Sequence, residues 1–159
     1  MPAAQPSAAA RKEFLAAAVA AVPGLDPGTD QRIRCTGWDQ QTSATIAKLI
    51  VDGEKTGTFS LPWLHAKSPG TRPQIGEYII QTTFDGAPQA LLQTVGLELV
   101  TFGDIDASYT ALDGPGVRDV EVWRGVHTRH WGGQLEPLGM AVAEDMPVVV
   151  ERFVCVYPK

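Results

Sequence analysis

The sequence contains few of the residues that build disulfide scaffolds and metal centres. Its 159 residues include two cysteines and three histidines. Cys35 and Cys155 lie far apart and form no Cys-x-x-Cys spacing, so we expect neither a disulfide nor a metal site. The P-loop order Gly-x-x-x-x-Gly-Lys-Ser/Thr is also absent. We therefore expect no cofactor.

Charged residues are limited as well, and their balance is acidic. They make up 19% of the chain, and the formal net charge is −5. Non-specific affinity for duplex DNA comes from Lys and Arg that neutralise phosphates, so a long duplex is not an expected partner. A single nucleotide, or a short single strand of RNA, still fits a locally basic cleft.

Long hydrophobic runs are missing, which excludes a membrane-spanning helix and a membrane partner. The Ala-rich segment 11–22 begins with Arg-Lys, as a signal peptide does. Glu13 interrupts it, and Pro23-Gly24 follows. We interpret it as an amphipathic helix and predict a cytoplasmic protein with reduced cysteines.

The length and the 44% hydrophobic content are those of one globular domain. Residues 1–8 are rich in Pro, Ala and Ser and are predicted to be a disordered tail. Residues 9–159 are predicted to form a single domain that begins with a helix. No feature of the sequence indicates an oligomeric state.

Hydrophobic periodicity predicts helices at 9–22 and 42–52, the second capped by Thr42 or Ser43. A loop is expected at 65–73, where Pro, Gly and Lys are frequent. Further strands and helices complete a small α+β barrel with helices packed at its ends. The strands are predicted at about 56–61, 77–83, 90–102 and 148–157, and the helices at about 103–109, 117–131 and 134–139.

The strongest chemical signal is the connector formed by residues 53–58, which read Gly-Glu-Lys-Thr-Gly-Thr. Gly53 stands where a helix C-terminal cap is needed, and Thr58 shares a strand face with Ser60. A desolvated Lys55 amine next to the Thr58 hydroxyl would form a nucleophile pair like that of serine–lysine enzymes. The alternative is a tight turn with a solvated lysine, and the residues alone leave both open.

These residues match the Gly-x-Lys-x-x-Thr signature of ASCH domains, and the chain resembles that family, which has a PUA-like β-barrel fold. The resemblance extends in order over residues 42–157. It includes the Gly-Glu-Tyr at 76–78, the pattern Trp123-Arg124-x-x-His127 and the closing segment 144–153.

The resemblance implies a cleft that binds RNA or a modified nucleoside. Some ASCH proteins remove the acetyl group from N4-acetylcytidine with the signature lysine, the signature threonine and a downstream carboxylate. Carried over, these catalytic residues are Lys55, Thr58 and Asp113, which stands where relatives have Glu-Gly, with Glu121 as the reserve. Lys55 would deprotonate Thr58, backbone N–H groups of the connector would stabilise the oxyanion, and Asp113 would orient Lys55 or protonate the leaving amine.

Two other hypotheses stay open beside this one. A single-strand ribonuclease, another activity in the family, would use Lys55 or His127 as the base, with Arg124 or Arg129 facing the phosphate. A non-catalytic RNA-binding module would need only charge, hydrogen bonds and an aromatic platform for stacking. The residues predicted to contact the ligand in these schemes are Gly53, Gly57, Ser60, Trp63, Tyr78, Arg124 and His127.

The remaining conspicuous residues are interpreted as structural. Trp38 and Trp131 are expected in the core or in helix packing. Glu151 and Arg152 on the last strand are expected to take part in structural ion pairs.

Overall fold

Helix α1 (Ala8–Ala21) is the first element of the computed structural model, which describes residues 2–159. Ser7 caps it, because the Ala10 N–H donates to the Ser7 hydroxyl over 3.0 Å. Within the segment predicted to be a disordered tail, the Ala4 N–H donates to the Phe84 carbonyl over 2.9 Å. The tail is thus tied at one point to a turn of the sheet. The division into a tail and one domain stays a prediction.

The fold is a mixture of helices and one sheet, as predicted, and the sheet has five strands. The sheet has the order β1-β3-β4-β5-β2. Strand β1 runs parallel to β3, and the β3–β4 and β2–β5 pairs are antiparallel. The strands are β1 (Arg32–Cys35), β2 (Gly57–Ser60), β3 (Tyr78–Thr82), β4 (Pro88–Thr101) and β5 (Pro147–Tyr157), and the other helices are α2 (Gln40–Val51), α3 (Pro62–Lys67), α4 (Ala107–Thr110) and α5 (Val120–Leu135).

Two short elements differ from the prediction. Strand β1 was not expected, since its four residues Arg-Ile-Arg-Cys carry little apolar signal. Its Arg32 pairs with the Glu77 carboxylate at 2.6 Å. Helix α3 replaces the start of the loop expected at 65–73, because Pro62 occupies a first helical position, where its fixed φ favours a helix.

The N-terminus of α2 corrects the predicted cap. Asp39, and not Thr42 or Ser43, is the capping residue, and its carboxylate accepts from the Thr42 N–H over 2.7 Å. The buried Ser43 hydroxyl instead accepts from the Phe84 N–H over 2.8 Å. The helix therefore begins two residues earlier than the periodicity indicated.

We expect Asp39→Ala to lower the stability of the protein at neutral pH. The Thr42 hydrogen bond lowers the pKa of the Asp39 carboxyl, so the cap stabilises the fold above the ordinary aspartate pKa. That contribution is lost as the pH falls through the lower folded-state pKa. Urea unfolding of both proteins should show a difference at neutral pH that shrinks in acid. A difference that grows in acid would contradict this role.

The chain divides into two compact units. The first contains the described residues up to Thr56, together with Pro73–Val95 and Phe153–Lys159. Strand β3 is covered on both faces here, because Ile79 belongs to the cluster with α2 and Ile80 to the cluster with α1. Burial on both faces explains why two apolar residues, Ile79 and Ile80, are adjacent in this strand.

The second unit contains Gly57–Arg72 and Gly96–Arg152. Its core is aromatic: the ring centroids of Phe59 and Trp123 lie 4.8 Å apart, and the buried Trp131 packs against Trp123. The structural role predicted for Trp131 is confirmed. None of the helices within residues 2–159 is long and apolar enough to cross a bilayer.

Candidate functional site

The connector after α2 is shaped by a glycine in the left-handed conformation. Gly53 has a φ of 76°, a value that side chains other than glycine rarely adopt. The N–H groups of Glu54 and Lys55 then both donate to the Leu49 carbonyl, over 2.8 and 3.0 Å. The C-terminal cap predicted for Gly53 is confirmed, and it fixes the backbone from which the Lys55 side chain extends.

Lys55 is buried, with only 6% of its surface exposed. Lysine is almost never fully buried unless it has partners, because desolvating an ammonium group is costly. The alternative of a solvated lysine in a tight turn is therefore wrong. A buried amine in a helix-to-strand connector is a candidate for chemistry.

A cavity of about 290 Å³ lies beside this lysine. Its volume is close to the lower end, about 300 Å³, of the range found for small-molecule sites. The ends of α2 and β5 form its walls. The lining includes Gly53, Lys55, Thr56, Phe153, Cys155 and Lys159.

Most backbone N–H groups of the connector already donate hydrogen bonds to carbonyl groups of the protein. Gly53 donates to the Ile50 carbonyl, Glu54 and Lys55 donate to Leu49, and Gly57 donates to Leu112. The sequence analysis predicted that these N–H groups would stabilise an oxyanion. That expectation needs correction, since donors already bonded to carbonyls are not directed at a ligand.

Thr58 lies opposite a buried carboxylate. The antiparallel pairing of β2 and β5 places it directly across from Glu151, which is 2% exposed. Residues in direct register project from the same face, with Cβ atoms about 5 Å apart. Sequence reasoning missed Glu151 as a site residue, because strand register cannot be read from one chain segment alone.

The ion pair expected of the neighbouring Arg152 does exist, but it is made elsewhere. Arg152 and Glu151 point to opposite faces, as adjacent strand residues do. The Arg152 guanidinium contacts the Glu98 carboxylate at 3.2 Å. It also lies 5.9 Å from the Tyr109 ring centroid.

Gly57 is required where β2, β5 and the loop after α4 approach one another. A Cβ at this position would lie 2.7 Å from the Glu151 carbonyl oxygen and 2.9 Å from the Leu112 Cβ. The Gly57 N–H also donates to the Leu112 carbonyl over 3.1 Å. The close approach brings the loop that carries Asp113 to the start of β2.

Asp113 is nearly buried, with 8% exposure. One carboxylate oxygen accepts from the Gly114 N–H over 2.9 Å, and the Asp113 carbonyl accepts from Arg118 Nε over 2.9 Å. The reserve candidate Glu121 is exposed in the first turn of α5. Of the two predicted carboxylates, only Asp113 follows directly after the residue bonded to Gly57.

Ser60, at the end of β2, is hydrogen-bonded to a histidine that the sequence analysis did not single out. Its hydroxyl lies 2.7 Å from His65 Nε2, and His65 Nδ1 lies 2.8 Å from the Thr71 hydroxyl. Thr71 in turn donates to the Ser68 carbonyl over 2.7 Å. The local signal available for this histidine was Pro62, which favours the start of a helix between Ser60 and His65.

The two predicted aromatic platforms are both partly buried. Trp63 in α3 packs against the aromatic core of the second unit. Tyr78 in β3 packs against the cluster formed with α1. Stacking of either ring on a base stays a prediction.

Arg124 and His127 anchor α5 to its surroundings. Arg124 Nη2 donates to the Gly103 carbonyl over 2.8 Å, and its guanidinium lies 6.0 Å from the Phe102 ring centroid. The His127 ring stacks on Trp123 at 4.0 Å, with Nδ1 bonded to the Trp123 carbonyl over 2.8 Å. These contacts give both residues structural roles, and their roles toward a ligand stay predictions.

Trp38 is not a core residue, so that prediction is wrong. It precedes the cap of α2 and is 73% exposed. Its indole is thus one of the large apolar groups facing solvent in the first unit.

The two cysteines are reduced and half-buried, and burial raises the pKa of both thiols. The Cys155 thiol donates to the Tyr157 and Pro158 carbonyls. Across residues 2–159, no three side chains of His, Cys, Asp or Glu are grouped to hold a metal ion.

Comparison with known proteins identifies the family. The chain is similar to the crystal structure of an ASCH domain from Lactobacillus crispatus JV V101, with 23% identity, a TM-score of 0.84, and coverage of 94% of this chain and 96% of the other. It is also similar to protein EF3133 from Enterococcus faecalis V583, with 21% identity, a TM-score of 0.76 and coverage of 92% and 85%. These likenesses confirm the predicted α+β fold.

No protein of curated function matches the chain closely enough to count as a relative. The family model of the ASCH domain matches residues 34–157, which is most of the chain and contains the whole connector. The chain therefore belongs to the ASCH domain family.

Proposed function

We propose that this protein binds a modified nucleoside, free or within single-stranded RNA, and hydrolyses an amide on its base. The observation that carries the proposal is the buried Lys55 in the wall of a cavity of about 290 Å³. Membership of the ASCH family agrees with such a ligand. The substrate class that the family resemblance implies is N4-acetylcytidine.

In the proposed mechanism, Lys55 takes the proton of the Thr58 hydroxyl, and Thr58 Oγ attacks the amide carbonyl carbon. The connector N–H groups are bonded within the fold, so the protonated Lys55 amine stabilises the oxyanion. The C–N bond breaks, and the amine leaves with a proton delivered from Asp113 or Lys55. Water then hydrolyses the acyl-threonine, releasing acetate and restoring the hydroxyl.

Two carboxylates support this assignment of roles. Asp113 follows the residue that bonds Gly57, and Glu151 lies across from Thr58. Both are buried. The proposal keeps for Asp113 the two roles that the resemblance implies, which are to orient Lys55 or to protonate the leaving amine.

The ribonuclease alternative has less support. It needs Lys55 or His127 as a base, with Arg124 or Arg129 facing the phosphate. His127 is stacked on Trp123 with one ring nitrogen bonded to a carbonyl. Arg124 is occupied with the Gly103 carbonyl.

The proposal is tested by incubating the protein with N4-acetylcytidine and, separately, with single-stranded RNA. Chromatography should show cytidine and acetate from the first and no shortened fragments from the second. Binding of the nucleoside without turnover would leave a non-catalytic module. Neither binding nor turnover with either ligand would overturn the proposal.

A nucleoside in the cavity should shield Cys155 from alkylation. Cys155 lines the cavity and Cys35 does not. Because burial raises the pKa of the Cys155 thiol, the reactive thiolate is scarce at neutral pH and alkylation by iodoacetamide speeds up as the pH rises. Peptide mass spectrometry should show slower labelling of Cys155 with nucleoside present.

Cys35 supplies the internal control, since its labelling rate should not change. Equal labelling of Cys155 with and without a nucleoside shown to be bound would place the ligand outside this cavity.

A further inference from the structure

The contacts of Ser60, His65 and Thr71 favour one tautomer of a neutral His65 ring. The Thr71 hydroxyl has one hydrogen, and it is donated to the Ser68 carbonyl. Thr71 Oγ1 therefore accepts from His65 Nδ1, and in the neutral imidazole that a general base requires, Nδ1 carries the ring proton. Nε2 is then the acceptor, and the Ser60 hydroxyl donates to it over 2.7 Å.

This is the arrangement of a hydroxyl nucleophile with its general base. The base lies within hydrogen-bond reach of the nucleophile, and a third group fixes the orientation and tautomer of the imidazole. Thr71 takes the orienting role that a carboxylate has in the familiar triads. We propose that Ser60 and His65 form a second catalytic pair, which accepts acyl groups from small carboxylic esters.

The pair is mounted on rigid parts of the second unit. Ser60 ends a strand paired with β5, directly across from Val149. The buried Leu61 follows, and its carbonyl accepts from the backbone N–H of Leu64 and of His65. The distance from Ser60 to His65 is thus set by one turn of α3, while Ser60 itself stays partly exposed.

The chemistry balances with water as the co-reactant. His65 Nε2 takes the Ser60 proton as Oγ forms a bond to the ester carbonyl carbon. The C–O bond to the alcohol breaks, and the alcohol leaves with that proton. Water, deprotonated by His65, then cleaves the acyl-serine and releases the carboxylic acid. An ester suits the pair better than an amide, because an alkoxide leaves more readily than an amine.

The inference does not depend on the proposed amide hydrolysis. The acyl group forms on Ser60, and neither Lys55 nor Thr58 takes part.

The test is acylation with p-nitrophenyl acetate. Mass spectrometry of the intact chain then counts the acetyl groups, and mass spectrometry of its peptides locates them. We expect a burst of p-nitrophenol and one acetyl group on Ser60. Ser60→Ala should remove the burst, and His65→Ala should slow it by about 100-fold or more. Added imidazole should restore part of the rate in His65→Ala, which a structural role does not predict.

Two further variants keep the result interpretable. Thr71→Val leaves Ser60 and His65 in place and should slow acylation by about 10-fold through loss of the oriented tautomer. Ser108→Ala changes an exposed serine without a histidine partner and should leave the burst intact. Acetyl groups confined to other residues, or a burst unchanged in folded His65→Ala and Thr71→Val, would overturn the inference.

The outcome is independent of the N4-acetylcytidine assay. If Ser60 is acylated but N4-acetylcytidine is not turned over, only the proposed amide hydrolysis is rejected. If N4-acetylcytidine is turned over but Ser60 is not acylated, only the proposal of a second catalytic pair is rejected.

Discussion

The Lys55→Ala variant should lose at least about 100-fold in N4-acetylcytidine turnover while remaining folded. General base catalysis by a positioned group contributes about 100- to 10,000-fold, and Lys55 is the base in the proposed mechanism. The same variant removes the cation that stabilises the oxyanion. Turnover numbers from single-substrate kinetics, measured beside circular dichroism spectra, provide the comparison. An unchanged turnover number would remove Lys55 from the mechanism.

Lys48→Ala is the matched control. Lys48 lies in α2, its side chain is 75% exposed, and it pairs with Asp52 one turn away. Exposed pairs of this kind contribute little to stability, so this variant should keep wild-type activity. Lys55→Met fills more of the buried volume than alanine does, and it should also be inactive. Activity in Lys55→Met would show that Lys55 contributes packing and not its amine.

The second large effect is expected at Gly57. Gly57→Ala places a methyl group 2.7 Å from the Glu151 carbonyl oxygen and 2.9 Å from the Leu112 Cβ. The closest atom belongs to the backbone of a paired strand and cannot rotate away. We expect a loss of about 3 kcal/mol in the free energy of unfolding, at the upper end of the usual cost of overpacking. Urea unfolding measures it directly.

Gly132→Ala separates the clash from the general effect of replacing glycine. Gly132 lies inside α5, and a Cβ there would meet no atom within 4 Å. Alanine in a helix interior is favoured over glycine by about 0.5–1 kcal/mol, so this variant should be more stable than the wild type. Equal destabilisation of both variants would show that the strands do not approach as closely at Gly57 as described.

The connector could be predicted from the sequence because its signals are local. A glycine after an apolar helical stripe has one common use, and Gly53 adopts the left-handed conformation that this use requires. Lys55 and Thr58 were found from their spacing to it. The burial of Lys55 could not be read in the same way, because it depends on residues distant in sequence.

Glu151 and His65 could not be identified as candidate site residues from the sequence, because each stands out only through its neighbour in the fold. Glu151 matters since the register of β2 against β5 sets it across from Thr58. A shift of one residue would turn it to the other face. His65 required the knowledge that the chain after Pro62 turns into a helix, which brings the imidazole back to Ser60.

The two tryptophans are a further case in which burial could not be predicted from the sequence. Trp38 and Trp131 were assigned together on residue type. Trp131 lies in a long helix against an aromatic core, whereas Trp38 lies in the short stretch between β1 and α2 and faces solvent. Residue type alone could not distinguish them, because the difference arises from the path of the backbone.

The connector differs from the glycine-rich loops that bind phosphate, because its backbone N–H groups donate to carbonyls of the protein. Those loops bind anions because successive N–H groups point out of the chain. Here the glycines serve the path of the main chain: Gly53 reverses its direction, and Gly57 lets it pass between a strand and a loop. The amides of Gly53, Glu54, Lys55 and Gly57 are bonded within the fold and are therefore not available to an anion.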